Sequence, residues 1–287
     1  MRQLIMQLNT KAAAPIAIVA LGLALSACNT QTSSYEFSKP LDPAVGSSRN
    51  IASLSEVIKQ NPNDAGAYNM RGTAFGRAGK HTEAINDFNA AIRLDPTYYQ
   101  AYANRALVNR STGQNGQAIA DYSRALEINP NYDSAYIGRG NIYRKQGKHS
   151  QALADFDAAI RLNSADARAY HNRALIYQGR GLHDFAIDDF TTAIGLNPNA
   201  PEPFNGRGLS YLAADNPKAA LDDFTEAVAR NRKYAEAWAN RGVALEHLGK
   251  IDKAMGAYNR ALNLKPGYAP AAEGLARLRG GRAPLRS

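Results

Sequence analysis

Prolines recur in this chain at multiples of 34 residues, and this spacing constrains the fold more than any other feature of the sequence. They occupy positions 62, 96, 130, 198 and 266, and Ser164 and Arg232 stand at the two places that the series omits. A period of 34 residues is typical of a repeated helix–turn–helix unit. One such unit cannot bury its apolar face alone, so the spacing predicts a solenoid of stacked helix pairs.

Six units fit this period without insertion when each proline is placed at position 32 of its unit. They start at Ala65, Tyr99, Asp133, Ala167, Pro201 and Ala235. Position 8 is glycine or alanine throughout, and positions 20 and 27 are always alanine. Small side chains let two helices approach closely, so these positions mark the contact between helix A and helix B of each unit. Positions 4 and 24 are always aromatic, and their helical spacing indicates a core instead of a cofactor site.

This pattern resembles the tetratricopeptide repeat (TPR) family over residues 65–268. The resemblance implies an all-α fold, a right-handed superhelix of six αα-hairpins with an N-terminal half repeat and a C-terminal capping helix. We assign residues 51–64 to the N-terminal capping helix and residues 269–287 to the C-terminal capping helix and a basic tail. Asn109 and Leu245 replace the usual aromatic residue at position 11, which predicts looser packing at both points.

The start of the chain has the pattern of a secretory signal peptide. Arg2 and Lys11 precede an uncharged stretch that ends in Ser26 and Ala27, and the only cysteine, Cys28, follows directly. A charged start, an apolar middle and a small-residue end define such a signal. The Leu-Ser-Ala-Cys sequence that ends at Cys28 resembles the lipobox of bacterial lipoproteins, which implies lipidation of this cysteine. The alternative is an ordinary signal peptide with an unmodified cysteine.

We therefore assign residues 1–27 to a lipoprotein signal peptide and residues 28–50 to a flexible tether, since that stretch is polar and lacks helical periodicity. Asn29, instead of aspartate, follows the cysteine. By resemblance to enterobacterial lipoproteins, this implies a lipid anchor in the outer membrane, with the repeats facing the periplasm. At the other end, the arginines from Arg277 onward have no acidic partner after Glu273, which predicts a solvated basic tail.

Two opposite charges recur in phase along the repeats. Position 7 is arginine in all six units, namely Arg71, Arg105, Arg139, Arg173, Arg207 and Arg241. Position 23 is aspartate in five units, namely Asp87, Asp121, Asp155, Asp189 and Asp223, and the sixth has Ala257. This recurrence predicts a structural ladder of Arg–Asp pairs. The sequence leaves open whether the pairs lie within or between repeats, and the alternative to a ladder is an arginine-lined ligand surface.

The TPR resemblance also implies a concave groove lined by helix A, chiefly at positions 2, 5, 6, 9, 12 and 13. The residues predicted to line it are Asn69, Arg77, Asn104, Arg110, Asn141, Arg144, Lys145, Arg168, His171, Asn172, Gln178, Asn205 and Asn240. The first four repeats are basic and rich in amides there, whereas Glu202, Glu236 and Glu246 make the last two more acidic. Asparagine amides donate to and accept from a peptide backbone, so the groove is predicted to bind extended or acidic peptide segments. The alternative is that these are ordinary solvated helix residues.

No set of residues matches a catalytic motif. His81, His149 and His183 all fall at position 17, one or more repeats apart, which is too far to share a metal ion. We therefore predict no enzyme activity, no metal and no cofactor. The formal net charge of +9 suits a nucleic acid or an anionic membrane surface, and the export signal argues against a nucleic-acid partner.

The predicted function is a non-enzymatic scaffold or adaptor of the cell envelope, similar to the enterobacterial TPR adaptor lipoproteins. It would bind envelope proteins through the concave groove and support envelope integrity or the regulation of cell-wall enzymes. The alternative is a pilotin-like or outer-membrane-protein assembly factor. Loss of an adaptor would alter cell-wall turnover broadly, whereas loss of an assembly factor would mislocalise one client protein.

Overall fold

A computed structural model describes residues 43–280, which form fourteen α-helices after one short 3-10 turn and contain no β-strand. The turn is Pro43–Gly46, and the helices are α1 Ser48–Gln60, α2 Ala65–Arg77, α3 His81–Leu94, α4 Tyr99–Ser111, α5 Asn115–Ile128, α6 Asp133–Lys145, α7 His149–Leu162, α8 Ala167–Gly179, α9 His183–Leu196, α10 Pro201–Ala213, α11 Pro217–Arg230, α12 Ala235–His247, α13 Ile251–Leu264 and α14 Ala269–Arg279. The predicted all-α fold is confirmed. The predicted signal peptide, the predicted lipidation site Cys28 and the end of the predicted basic tail lie outside the described residues.

The helices pair in sequence as six A–B hairpins, from α2 with α3 to α12 with α13. Each A helix begins at the first residue of a predicted repeat. The turn between A and B needs a residue in the left-handed region, and five repeats place a glycine there, as at Gly79 (φ +74°). The fifth repeat uses Asp215 at φ +55°. Helix α1 packs on α2, and α14 packs on α12 and α13, so both ends of the repeat stack are covered.

Among the described residues, helical structure begins before the predicted capping helix. Helix α1 starts at Ser48, because the Ser47 hydroxyl accepts a hydrogen bond from the Asn50 backbone N–H at 3.2 Å and caps the helix. The turn Pro43–Gly46 contacts α2. The last residues of the predicted tether therefore belong to the folded unit.

The core is built from aromatic rings pressed against helix backbone. Phe190 is fully buried among Ala174 and Ala186 of its own repeat. A Cβ atom added to Gly206 of the next repeat would lie 2.4 Å from the Cζ atom of this ring, a distance that only glycine tolerates. The position-24 ring thus joins its own repeat to the next one.

The prediction of looser packing at position 11 is wrong. Asn109 is only 4% exposed, and its amide donates a hydrogen bond of 3.1 Å to the Asp121 carboxylate. Leu245 is 1% exposed and belongs to a buried cluster with Tyr258 and Leu275. A polar side chain that finds a partner and an aliphatic one that fills the space both replace the aromatic ring without leaving a gap.

The prediction of a solvated tail is also wrong for Arg277, whose acidic partner precedes Glu273 in the sequence. Its Nε and Nη2 atoms donate to the two carboxylate oxygens of Glu246, each at 2.8 Å. Tyr258 donates a third hydrogen bond to Glu246 at 2.9 Å, and Glu246 is 0% exposed. This buried network fixes the capping helix α14 to the last repeat, and it removes Glu246 from the predicted groove.

The helix contacts determine which face of the stack is concave. Each A helix contacts the next A helix, from α2 with α4 to α12 with α14, whereas no B helix between residues 43 and 280 contacts the next B helix. Because the A row is more closely packed than the B row, the stack curves with the A helices inside. None of these helices combines the length and the apolar character that a bilayer crossing requires.

Candidate functional site

The arginines at position 7 in the first five repeats pair with the aspartate at position 23 of the same repeat. Arg71 donates from Nε and Nη2 to the two carboxylate oxygens of Asp87, at 2.7 and 2.8 Å. The same two bonds recur at Arg105, Arg139, Arg173 and Arg207, with lengths from 2.6 to 3.0 Å. The pairs therefore lie within repeats, and the sixth arginine, Arg241, has no aspartate at the corresponding place.

Each of these five arginines also reaches the B helix of the preceding repeat. The Nη1 atom of Arg139 donates to the Ser123 hydroxyl at 2.9 Å, and that of Arg173 donates to Asp157 at 2.7 Å. The guanidinium of Arg139 also lies 5.7 Å from the ring centre of Tyr136. Since a guanidinium with two carboxylate bonds and an aromatic contact has few donors left, this ladder joins repeats and leaves little for a ligand to bind.

Pairs of asparagines connect consecutive A helices on the concave side. The Asn104 amide donates to the Asn69 carbonyl oxygen at 3.0 Å, and Asn240 donates to Asn205 in the same way at 2.9 Å. Asn69 and Asn205 are buried. These amides are used inside the fold, so the groove has fewer free amides than the sequence predicted.

Two further predicted groove residues also form bonds within the protein. The buried Asn172 donates to the Arg168 carbonyl oxygen at 2.7 Å. Gln178 donates to the Gly206 carbonyl oxygen at 2.7 Å and to the Ser210 hydroxyl at 2.8 Å. The Asn172 bond stays within α8, whereas the two Gln178 bonds join α8 to the next A helix, α10.

The basic residues of the predicted groove differ in their surroundings. Arg77 and Lys145 are exposed, while Arg110 and Arg168 are half-buried, like Asn141. Arg168 forms a 2.6 Å ion pair with Asp166, which lies two residues earlier and caps α8. Its charge is therefore partly neutralised before any ligand binds.

Arg144 is the least compensated of these cations. It is half-buried, and within residues 43–280 its Nε atom donates no hydrogen bond and no carboxylate forms an ion pair with it. Burial lowers the pKa of its guanidinium. Burial, and secondarily the charge of Arg144, lowers the pKa of the neighbouring His171 to about 3, so this imidazole is neutral at neutral pH. Arg144 thus contributes an unpaired positive charge to the A-helix face.

Exposed apolar side chains occur on the same row of helices. Met70, Leu107 and Leu209 all belong to A helices and are exposed despite their size. Leu107 and Leu209 share position 9 of their repeats. An unpaired cation and exposed aliphatic groups on the same row of helices are a combination suited to binding a polypeptide.

The histidines at position 17 each begin a B helix, at His81 of α3, His149 of α7 and His183 of α9. In the part of the chain that the structure describes, no group of three or more His, Cys, Asp or Glu side chains could hold a metal ion.

Comparisons with known families match the repeated region. One family model, described as tetratricopeptide repeat, matches residues 51–98, 69–133 and 205–269, which together make up more than half of the chain. Three others, described as TPR repeat or tetratricopeptide repeat, match residues 140–181, 167–200 and 122–154. Among curated proteins, no sequence matches this chain.

Solved structures share the fold at low sequence identity. A chain of the APC/C hetero-tetramer Cut9–Hcn1 has a TM-score of 0.72 at 18% identity, over 82% of this chain and 47% of that chain. Pseudomonas aeruginosa pilF has a TM-score of 0.68 at 18% identity, over 78% and 99%. YrrB, described as a TPR protein with an unusual peptide-binding site, has a TM-score of 0.52 at 20% identity, over 65% and 96%. The present chain thus spans about half the length of the Cut9–Hcn1 chain.

Proposed function

Because this chain belongs to the tetratricopeptide repeat family, we propose that it is an interaction scaffold whose concave face binds an extended acidic segment of a partner protein. TPR proteins are generally non-enzymatic scaffolds, and the matched models indicate no catalytic family. The observation that carries the proposal is Arg144, the half-buried guanidinium on the A-helix face that has no ion-pair partner between residues 43 and 280.

Electrostatics explains why a carboxylate is the favoured ligand group at Arg144. Removing a cation from water costs free energy, and that cost stays uncompensated while the guanidinium has no partner. A carboxylate that binds there restores the lost interactions and gains more than it would at a fully hydrated site. The exposed Leu107 and Leu209 provide apolar contacts for neighbouring ligand residues. The description of YrrB as peptide-binding supports a peptide ligand.

Charge reversal at Arg144 tests this proposal. We expect Arg144→Glu to weaken binding of a fluorescein-labelled peptide of alternating Asp and Gly by about tenfold or more, since an ionic hydrogen bond is replaced by repulsion. Fluorescence anisotropy at fixed ionic strength measures the affinity. The matched control is Arg161→Glu, which makes the same charge change at an exposed site on the B helix α7. The proposal fails if both variants lose affinity equally, or if neither does.

The cellular setting is a separate part of the proposal: we infer a lipoprotein of the cell envelope, anchored through Cys28 in the outer membrane and facing the periplasm. This rests on the signal pattern of residues 1–27 and on the lipobox sequence that ends at Cys28. The scaffold would then recruit envelope proteins and support envelope integrity or the regulation of cell-wall enzymes. Stable anchoring needs two signals, such as two acyl chains, and the resemblance to bacterial lipoproteins implies several acyl chains on the cysteine.

Replacing Cys28 with alanine tests the anchor. In a Gram-negative host fed labelled palmitate, the original chain should incorporate label and sediment with outer membranes. Cys28→Ala should lose the label and appear in the soluble periplasmic fraction. Asn29→Asp is the matched control, because it should keep the label and change only the membrane in which the protein is found. A Cys28→Ala protein that stays labelled would contradict the assignment.

A further inference from the structure

The sixth repeat contains the ladder arginine without its carboxylate. Ala257 occupies the position that aspartate holds in the other five repeats. Arg241 contacts the equivalent neighbours in a different orientation: its Nε atom, in place of Nη1, donates to the Thr225 hydroxyl at 3.2 Å, and its guanidinium lies 5.5 Å from the Trp238 ring centre. Within residues 43–280, no carboxylate forms an ion pair with it. One rung of the ladder is thus incomplete.

A cavity of about 320 Å³ opens beside this arginine, on the side of the stack where consecutive B helices do not touch. Its wall includes Arg241 and two exposed lysines, Lys250 and Lys253, together with the Thr225 hydroxyl. The volume lies at the lower end of the range for small-ligand sites, which suits a single side chain or chain terminus.

Two acidic residues, Asp222 and Glu226, also line the cavity. Glu226 is engaged in an ion pair with Arg230, one turn further along α11. Asp222 is exposed and therefore well hydrated. The three cations of the cavity wall outnumber these two acids, and the local charge favours an anion.

We propose that this cavity is a carboxylate-binding site that receives an acidic side chain or a C-terminal carboxylate of a partner polypeptide, in the role that the position-23 aspartate plays in the other repeats. The five complete Arg–Asp pairs give the template: each holds a carboxylate with two bonds from Nε and Nη2 of the same arginine. In Arg241 the Nε atom is bonded to Thr225, so a ligand carboxylate would take its two bonds from Nη1 and Nη2. Bidentate geometry of this kind favours a planar carboxylate over other anions.

The surroundings of Arg241 explain why it gains from a ligand. Burial lowers the pKa of its guanidinium, whereas a bound aspartate raises the pKa of the guanidinium in Arg139 and Arg207. A bound carboxylate would therefore compensate the free-energy cost of burying the Arg241 guanidinium, which no aspartate at position 257 offsets. This site lies outside the A-helix face, so it is independent of the proposed groove.

The single tryptophan of the chain provides a local reporter. The indole N–H resonance of Trp238 can be followed in two-dimensional NMR spectra while the full chain is titrated with acetyl-Gly-Gly-Asp-Gly-Gly-amide. We expect the chemical shift of this resonance to change and to saturate as the peptide concentration rises. The same peptide with Asn in place of Asp should bind at least tenfold more weakly, as expected for loss of a charge-assisted bond. Acetyl-triglycine with a free C-terminus distinguishes a terminal from a side-chain carboxylate, and inorganic phosphate tests anion selectivity.

Two variants at position 257 give the decisive comparison. Ala257→Asp should supply the missing carboxylate from within and reduce peptide affinity by at least tenfold. Ala257→Asn, which has nearly the same shape and no charge, should keep more of the affinity, and Arg161→Glu, at an exposed site on α7, should leave it unchanged. If circular dichroism shows that Ala257→Asp does not fold, Arg241→Gln serves instead and should abolish the shift.

Three results would overturn the proposal. The first is equal binding of the Asp and Asn peptides. The second is unchanged affinity in a folded Ala257→Asp or Arg241→Gln protein. The third is tighter binding of phosphate than of either carboxylate peptide. Because the Trp238 resonance reports on this site, and the labelled peptide with Arg144→Glu reports on the groove, failure of this site and failure of the concave groove are told apart.

Discussion

Replacing Phe190 with alanine is expected to lower the free energy of unfolding by about 3–5 kcal/mol. The ring is fully buried, packs against Ala174 and Ala186, and lies directly on the backbone at Gly206 of the next repeat. Truncation removes the apolar contacts and leaves a cavity whose walls are helix backbone, which cannot move in to fill it. Urea denaturation followed by circular dichroism measures the change.

The matched control for this variant is Phe185→Ala on the same helix. Phe185 is 59% exposed and makes one tilted ring contact with Tyr177 at 5.6 Å. Its removal should cost less than about 1 kcal/mol, because little buried area is lost. Since a solenoid repeat contacts only its neighbours, amide exchange in Phe190→Ala should increase first in α8 to α10. Equal destabilisation by the two variants would contradict the proposed packing of the core.

Replacing Glu246 with glutamine is expected to lower the free energy of unfolding by about 2–4 kcal/mol. The substitution keeps the shape of the side chain but removes its negative charge. Two N–H groups of Arg277 and the Tyr258 hydroxyl donate hydrogen bonds to this carboxylate. Arg277 then remains partly buried without its counter-charge. Chemical denaturation gives the overall loss, and amide exchange in α14 should show that the capping helix opens first.

Glu236→Gln is the control for the network of Glu246. Glu236 also accepts a bond from a cation, Lys265 at 2.9 Å, but both side chains are substantially exposed. Exposed ion pairs contribute about 1 kcal/mol or less, so this variant should be nearly neutral. A double variant with Arg277→Gln should recover part of the loss caused by Glu246→Gln, since it removes the uncompensated charge. A loss from Glu236→Gln as large as that from Glu246→Gln would refute the importance of burial here.

The repeat period predicted the fold because spacing alone determines where each helix pair begins. The glycine and alanine positions and the aromatic positions recur in the same register, so the sequence pattern places helix starts at Ala65, Tyr99 and their equivalents, where the helices do begin. The end of the tether could not be predicted in this way, because a single capping serine, Ser47, extends α1 beyond the stretch with apolar periodicity.

The candidate site was less predictable, because a polar residue on an A helix can face either a ligand or the next A helix. A signal did exist for the asparagines: Asn69 with Asn104 and Asn205 with Asn240 are each 35 residues apart, one more than the period. Glu246 and Arg277 gave no such signal, since their spacing of 31 occurs once, at the capping helix. Nothing in the sequence distinguished the unpaired Arg144 from Arg168, apart from Asp166 close to the latter.

The unequal contacts of the two helix rows have a mechanical consequence. The A helices touch one another directly, whereas successive B helices are linked across their gap by arginine side chains and not by helix-to-helix contact. Stretching the molecule would therefore widen the gaps between B helices, while the direct contacts keep the row of A helices together. Each Arg–Asp pair, together with the bond to the preceding B helix, limits how far one gap can widen. The repeat of Arg241 lacks this carboxylate, so we expect the gap between α11 and α13 to open first under tension.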